Sequence, residues 1–124
     1  MQDLPTPAAI LDLVITQLAN AEPTTPERGK FEQRVIIAAL QLVHRELKLA
    51  PVSDAAEQER LEALLGEPGD LLALNRSLAA RLRDGSLTLA SRDVAAHLRA
   101  TTMEKLAIDQ PSYAAYKRAL TSKD

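Results

Sequence analysis

The chain of 124 residues contains no cysteine, and this absence excludes several classes of protein. Disulfide scaffolds, cysteine-ligated zinc sites, iron–sulfur centres and cysteine nucleophiles all require the missing thiol. Aromatic residues are also scarce, because Phe31, Tyr113 and Tyr116 are the only ones. So few rings do not provide the stacking platforms on which proteins commonly bind single-stranded nucleic acids.

The chain also lacks a basic surplus and a long apolar run. Its 15 Lys and Arg residues face 17 Asp and Glu residues, which gives a net charge of −2 and argues against nucleic-acid binding. The longest near-apolar run, residues 35–43, is interrupted by Gln41 and is much shorter than the ~20 residues of a membrane span. The N-terminus shows no basic region followed by an apolar stretch. We therefore expect a cytoplasmic protein without nucleic-acid or membrane partners.

Helix-forming residues dominate what is present. Alanine and leucine are the two commonest residue types, and both favour helices. Prolines and glycines divide the chain into segments with helical spacing of apolar residues, and no segment shows strand-like alternation. The pattern predicts an all-α, single-domain bundle of five to six helices over residues 1–124, with an ordered core at about 6–120 and a frayed tail at 121–124.

The second segment is predicted to be the central hub helix of this bundle, at about residues 27–49. Its apolar residues cover most of the helix circumference, which is typical of a helix packed on several sides. Pro51 is predicted to end this helix, and Ser53 or Asp54 to cap the next one. Gly66 and Gly85 occupy positions typical of helix ends.

No arrangement of residues for catalysis or metal binding is visible. His44 and His97 lie on different predicted helices, and neither belongs to a metal-binding frame. The chain contains neither the glycine-rich P-loop pattern nor the glycine-rich pattern of dinucleotide-binding proteins. Its serines and threonines lie mainly at predicted helix caps. We therefore expect no metal, no cofactor and no enzymatic activity.

A polar surface beside the hub helix is the candidate site for a protein partner or an anion. Its predicted members are Arg45, Glu46, Asn75, Arg76, His97, Arg99 and Lys105. Acidic residues at Asp84, Asp93 and Glu104 lie close by in sequence, so ordinary surface ion pairs are an alternative role for the basic residues.

Several short segments resemble a bacterial family catalogued as domain of unknown function 6285. The most specific of them is Lys105-Leu106-Ala107-Ile108-Asp109-Gln110-Pro111, and the resemblance extends from about Leu4 to Tyr116. The other segments, in order, are Arg34-Val35, Arg45-Glu46-Leu47, Leu64-Leu65-Gly66, Gly69-Asp70-Leu71, Leu74-Asn75, Arg83-Asp84-Gly85 and His97-Leu98-Arg99-Ala100-Thr101-Thr102.

The resemblance implies a metabolic context. Members of this family are typically encoded beside acyl-CoA dehydrogenases and phosphotransferases of the aminoglycoside-kinase type, which implies an accessory domain in bacterial acyl-CoA metabolism. The chain departs from the family pattern at Ala38, near which an Asn is common, and at Gln110, where Asn is usual. A family site that used a buried Asn would be altered here.

Three functional interpretations follow. The first is a non-catalytic interaction module that binds an acyl-CoA dehydrogenase or a kinase-like phosphotransferase, with self-association also possible. The second is a bundle that binds an acyl or CoA-like ligand in space left by Ala38, Ala39, Ala79 and Ala80. The third is an enzyme whose site is completed by another chain.

Overall fold

A computed structural model of the chain describes residues 7–21 and 27–122. Across these residues it contains five helices and no β-strand, which confirms the predicted all-α fold class. The helices are α1 (Pro7–Asn20), α2 (Glu27–Leu65), α3 (Leu71–Arg83), α4 (Arg92–Asp109) and α5 (Ala114–Thr121). Thr6, at the predicted start of the core, and Lys123 and Asp124, in the predicted frayed tail, lie outside the described residues.

The chain divides into two compact units, Met1–Ala50 and Pro51–Asp124. The first unit contains α1 and the N-terminal part of α2, and the second contains the rest of α2 with α3, α4 and α5. The single domain over residues 1–124 therefore stays a prediction.

The buried core of the second unit is a cluster of leucines. Leu61 and Leu65 of α2 pack with Leu74 and Leu78 of α3, and each pair is spaced four residues apart on one helix face. Partly buried leucines surround this cluster, namely Leu64, Leu71, Leu82 and Leu87. Helix α4 adds further buried apolar residues, Val94 and Ile108.

The prediction that Pro51 ends the hub helix is wrong. Helix α2 continues through Pro51 to Leu65, so Ser53 and Asp54 lie inside a helix and do not cap a new one. Proline has a backbone φ close to that of a helix, but it lacks the N–H that would bond to the carbonyl of Leu47, and its ring crowds that carbonyl. Good helix formers precede Pro51 at residues 48–50 and follow it at residues 55–57, and the helix continues between them.

The prediction that residues 27–49 form the buried centre of the fold is also wrong. No described side chain between residues 29 and 50 is buried, and Phe31 and Val35 are 61% and 52% exposed. Among the described residues of the first unit, α1 and the residue that follows it contact this part of α2: the Gln33 side chain donates to the carbonyls of Leu18 and Ala21. One neighbouring helix covers one side of α2, and the other apolar side chains remain exposed.

Turn residues end the helices as the sequence predicts. Gly66 and Gly85 have φ values of 71° and 81°, and this left-handed conformation suits a glycine that follows the last turn of a helix. Helix α3 begins at Leu71, because the Asp70 side chain caps it by accepting a 2.8 Å hydrogen bond from the backbone N–H of Ala73.

The leucine cluster generates a prediction about stability. Leu61 is fully buried, whereas Leu72 on α3 is 61% exposed. We expect Leu61→Ala to lower the free energy of unfolding by about 2–5 kcal/mol, because it removes buried methyl groups and leaves a cavity. The matched change Leu72→Ala should stay within about 0.5 kcal/mol of the parent. Urea unfolding followed by circular dichroism measures both, and equal losses would contradict the assignment of the core.

Candidate functional site

A pocket of about 460 Å³ lies in the second unit, between α2 and α4. Within each helix the lining residues lie three, four or seven positions after the first one, so that they share one helix face. Alanine is the commonest lining residue, and its small side chain leaves the space between the helices unfilled. The lining residues are Arg60, Ala63 and Leu64 from α2 and Asp93, Ala96, His97 and Ala100 from α4.

Arg60 is fixed by a bidentate ion pair across the two helices. Its Nη1 donates to Glu104 Oε1 at 2.9 Å, and its Nη2 donates to Glu104 Oε2 at 2.6 Å. The Nη2 atom also lies 3.4 Å from the Thr101 hydroxyl oxygen. Arg60 Nε is buried and has no hydrogen-bond partner among the described residues. The Nε–H donor of the guanidinium is therefore unused.

His97 is the second polar group of the pocket. The residue is only 4% exposed, and its buried Nδ1 has no hydrogen-bond partner in the described part of the chain. Burial lowers the pKa of His97 below its ordinary value of 6.5, and the positive charge of Arg60 lowers it further, while Glu57 and Glu104 act in the opposite direction. At neutral pH the imidazole is therefore uncharged.

A second polar contact lies beside the leucine cluster. The Asn75 side chain donates from Nδ2 to Glu57 Oε1 at 2.8 Å and to the backbone carbonyl of Leu71 at 3.0 Å. Glu57 is buried, so this bond satisfies a carboxyl oxygen that would otherwise be enclosed without a partner. Asn75 therefore has a structural role, which links α2 to α3.

The residues of the predicted polar surface are divided between the two units. Arg45 and Glu46 lie in the first unit, whereas Asn75, Arg76, His97, Arg99 and Lys105 lie in the second. His97 is buried, which corrects its predicted placement on the surface, and the Asn75 side chain is hydrogen-bonded to Glu57. Arg76, Arg99 and Lys105 are exposed. Binding of a partner by these residues stays a prediction.

The alanines that were expected to leave space for a ligand do not line this pocket, and neither do the two positions that depart from the family pattern. Ala38, Ala39, Ala79 and Ala80 are all exposed and none of them lines it, so the space comes from other alanines. Ala38 is therefore not a buried position. Gln110 is the exposed residue that caps the C-terminus of α4 through its backbone N–H.

Sequence reasoning did not identify Arg60, Glu104 or Glu57 as site residues. The predicted helix start at Ser53 or Asp54 places Glu57 in a first turn, whereas it lies inside α2, which continues through Pro51. Glu57, Arg60, Leu61 and Leu64 follow one another at helical spacing, which would have indicated polar groups at the edge of a buried stripe. The partner of Arg60 is 44 residues away in sequence and has no local signal.

The described residues contain no group of three or more side chains suited to holding a metal ion. Within the same residues, no helix combines the length and the hydropathy that crossing a bilayer would require.

Comparison with known proteins gives one match. Residues 23–113 match the family model described as Domain of unknown function (DUF6285). The chain belongs to this family. The match covers well over half of the chain, and it confirms the resemblance read from the sequence. No curated protein and no solved structure matches the chain.

The matched range locates the candidate site within the DUF6285 domain. All the residues that line the pocket fall between residues 23 and 113, as do the Glu57 and Asn75 pair and the leucine cluster. Helices α1 and α5 lie outside the matched range. The family match therefore covers the whole pocket.

The Glu57–Asn75 contact generates a prediction. We expect Asn75→Ala to lower the free energy of unfolding by about 1–3 kcal/mol, because it leaves a buried carboxyl oxygen without its donor. Its exposed neighbour provides the control: Arg76→Ala should change stability by no more than about 0.5 kcal/mol. Urea unfolding measures both variants. If Asn75→Ala were as stable as Arg76→Ala, the contact would not be important for the fold.

The lowered pKa of His97 generates a prediction about pH. The unfolded chain binds a proton at His97 near pH 6.5, whereas the folded chain binds it only at lower pH. Stability should therefore be highest above pH 6.5 and should fall as the pH drops through the lowered folded-state pKa.

Urea unfolding at pH 7.5 and pH 5.5 measures this effect. The difference between the two free energies of unfolding should shrink in His97→Gln and persist in His44→Gln, because His44 is the only other histidine. A parent protein that is more stable at pH 5.5, or a difference that His97→Gln leaves unchanged, would contradict the assignment.

Proposed function

We propose that this DUF6285 chain is a non-catalytic helical interaction module that binds a partner protein through the first unit. The observation that carries the proposal is a row of exposed apolar side chains along α2, which we call the α2 stripe. It consists of Phe31, Val35, Leu42 and Leu49.

The spacing of the α2 stripe suits a helical partner. Its members are separated by four and then by seven residues, which places them on one side of a helix. Heptad spacing of this kind is typical of helices that pack against each other, because the apolar side chains insert between those of the facing helix. The contacts of α1 involve a different side of α2, at Gln33 and His44.

Burial of the stripe would supply the binding free energy. Covering apolar surface contributes about 25 cal/mol per Å² removed from water, and contiguous exposed apolar patches commonly mark interaction sites. Further exposed apolar residues on the same stretch of α2, namely Ile36, Val43 and Leu47, lie on another side of the helix. A partner docked on the stripe would remove its four large side chains from water together.

The family resemblance suggests the partner. An acyl-CoA dehydrogenase or a phosphotransferase of the aminoglycoside-kinase type is the proposed binding protein, in the bacterial cytoplasm. A second copy of the chain is the alternative occupant of the stripe. The polar residues Arg45 and Glu46 lie on the same stretch of α2 and are proposed to contribute to the rim of the interface.

Co-expression tests this proposal. The chain is produced with an acyl-CoA dehydrogenase and, separately, with a phosphotransferase from the same genome, and the molar mass of each product is measured by size-exclusion chromatography with light scattering. We expect a mixed complex, and we expect the double variant Val35→Glu, Leu42→Glu to abolish it. The two new carboxylates would lie in the centre of the stripe, where burying an unpaired charge is unfavourable.

A matched control lies one residue earlier on the same helix. Arg34→Glu with Gln41→Glu introduces two carboxylates at exposed polar positions and should leave the complex intact. Circular dichroism checks that both double variants keep their helix content. A monomeric chain in every mixture would contradict the proposal, and a homodimer that the stripe variant disrupts would assign the stripe to self-association.

A further inference from the structure

Helices α1 and α2 form an antiparallel pair in the first unit. Early in α2, Gln33 donates to the carbonyls of Leu18 and Ala21 at the end of α1, whereas farther along α2 the Nε2 atom of His44 lies 3.1 Å from Asp12 Oδ1. Half-buried residues at helical spacing mark the sides on which the two helices face each other. These contact residues are Leu11, Ile15 and Leu18 on α1 and Gln33, Ile37, Leu40 and His44 on α2.

An apolar surface runs along one side of this pair, and we call it the α1–α2 face. Ile10 and Val14 directly precede contact residues of α1, and Ile36 and Val43 directly precede contact residues of α2. A two-fold axis relates the helices of an antiparallel pair, so positions that precede the contact residues lie on the same face of the pair. Leu47 follows Val43 after one helical turn and completes this face. All five side chains are between 38% and 49% exposed.

The α1–α2 face is uncharged, which makes it complementary to itself. Its five members are apolar, and Ala39, between Ile36 and Val43 at helical spacing, is apolar too. A contact across a two-fold axis sets a face against its own copy, where like charges would repel. The other face of the pair, formed by residues that follow the contact residues, carries Asp12, Arg34 and Arg45. The uncharged face is therefore the one suited to a second copy.

The first unit also lacks a second layer of structure. None of its described side chains is buried, and helices build a core by packing in at least two layers. We propose that the α1–α2 face packs against the same face of a second copy of the chain. The two helix pairs then form the four-helix arrangement common among all-α proteins. Five half-exposed apolar side chains from each copy leave water together, which provides the driving force.

This contact is separate from the α2 stripe. The two surfaces share no residue, and they lie on different sides of α2 because Ile36 and Val43 each come one position after a stripe residue. Dimerisation through the α1–α2 face leaves the stripe open to a partner protein. Either proposal can therefore fail without the other.

Sedimentation equilibrium of the full chain tests the proposed dimer. We expect twice the molar mass of one chain, and we expect the dimer to persist at high sodium chloride concentration, because salt screens charged contacts and not apolar ones. Ile36→Glu with Val43→Glu should raise the dimer dissociation constant by more than about 100-fold, since each copy would bury two unpaired carboxylates. The matched change Val35→Glu with Leu42→Glu, one position earlier on the stripe, should leave the dimer intact.

A second pair of variants tests the contribution of α1. Val14→Glu should weaken the dimer, whereas Leu13→Glu should not, because Leu13 is an exposed apolar neighbour on another side of α1. All the substituted side chains are exposed, so the variants are expected to fold. Circular dichroism checks their helix content, and a glutamine variant at the same positions replaces any glutamate variant that unfolds.

Three results would overturn the proposal. The first is a chain that stays monomeric at every concentration. The second is a dimer that the double change at Ile36 and Val43 does not weaken. The third is a dimer that the double change at Val35 and Leu42 weakens as much, which would move the contact to the stripe.

Discussion

The packing of two leucine pairs across α2 and α3 is the contact on which the second unit depends. Leu61 and Leu65 meet Leu74 and Leu78, and these side chains are almost completely removed from water. A hydrogen bond also joins the two helices, because the Arg81 side chain donates to the backbone carbonyl of Leu65 at 3.1 Å. Because this face of α2 is committed to α3, the neighbouring residues Arg60 and Leu64 are directed to the pocket shared with α4.

The described residues of the first unit form no comparable cluster. Two helices, of which one is short, do not enclose a core, and the described residues of this unit include no buried side chain. The same kind of apolar sequence therefore has different consequences in the two units. In the second unit it is covered by α3 and α4, and in the first it remains exposed as the α2 stripe. The abundance of leucine in the chain does not by itself say which leucines are buried.

Local signals in the sequence predicted the helices and their ends better than their packing. The positive φ values of Gly66 and Gly85 agree with the rules for helix ends, because these rules depend on neighbouring residues alone. The apolar circumference of residues 27–49 was interpreted as a buried hub. Periodicity identifies an apolar surface but does not identify what covers it.

Pro51 and the pocket show two further limits of local reasoning. A proline is a strong sign of a helix end, yet one missing N–H within 39 helical residues did not interrupt α2. The pocket depends on Arg60 meeting Glu104 from another helix, and such pairs are determined by tertiary packing. Of the predicted site residues, the sequence indicated His97 but gave no sign that it would be buried beside a guanidinium.

The buried, unpaired nitrogens of Arg60 and His97 are costly for a bundle of this size. A buried polar group without a partner costs about 1–3 kcal/mol, and a small domain has a total stability of only about 5–15 kcal/mol. The lining of Ala63, Ala96 and Ala100 offers no side chain that reaches Arg60 Nε or His97 Nδ1. Glu104 fixes the guanidinium through its terminal nitrogens and leaves the Nε–H buried without a partner among the described residues. The second unit therefore tolerates one unpaired donor at the contact that joins α2 to α4, because the two charge-assisted hydrogen bonds of the same guanidinium are strong.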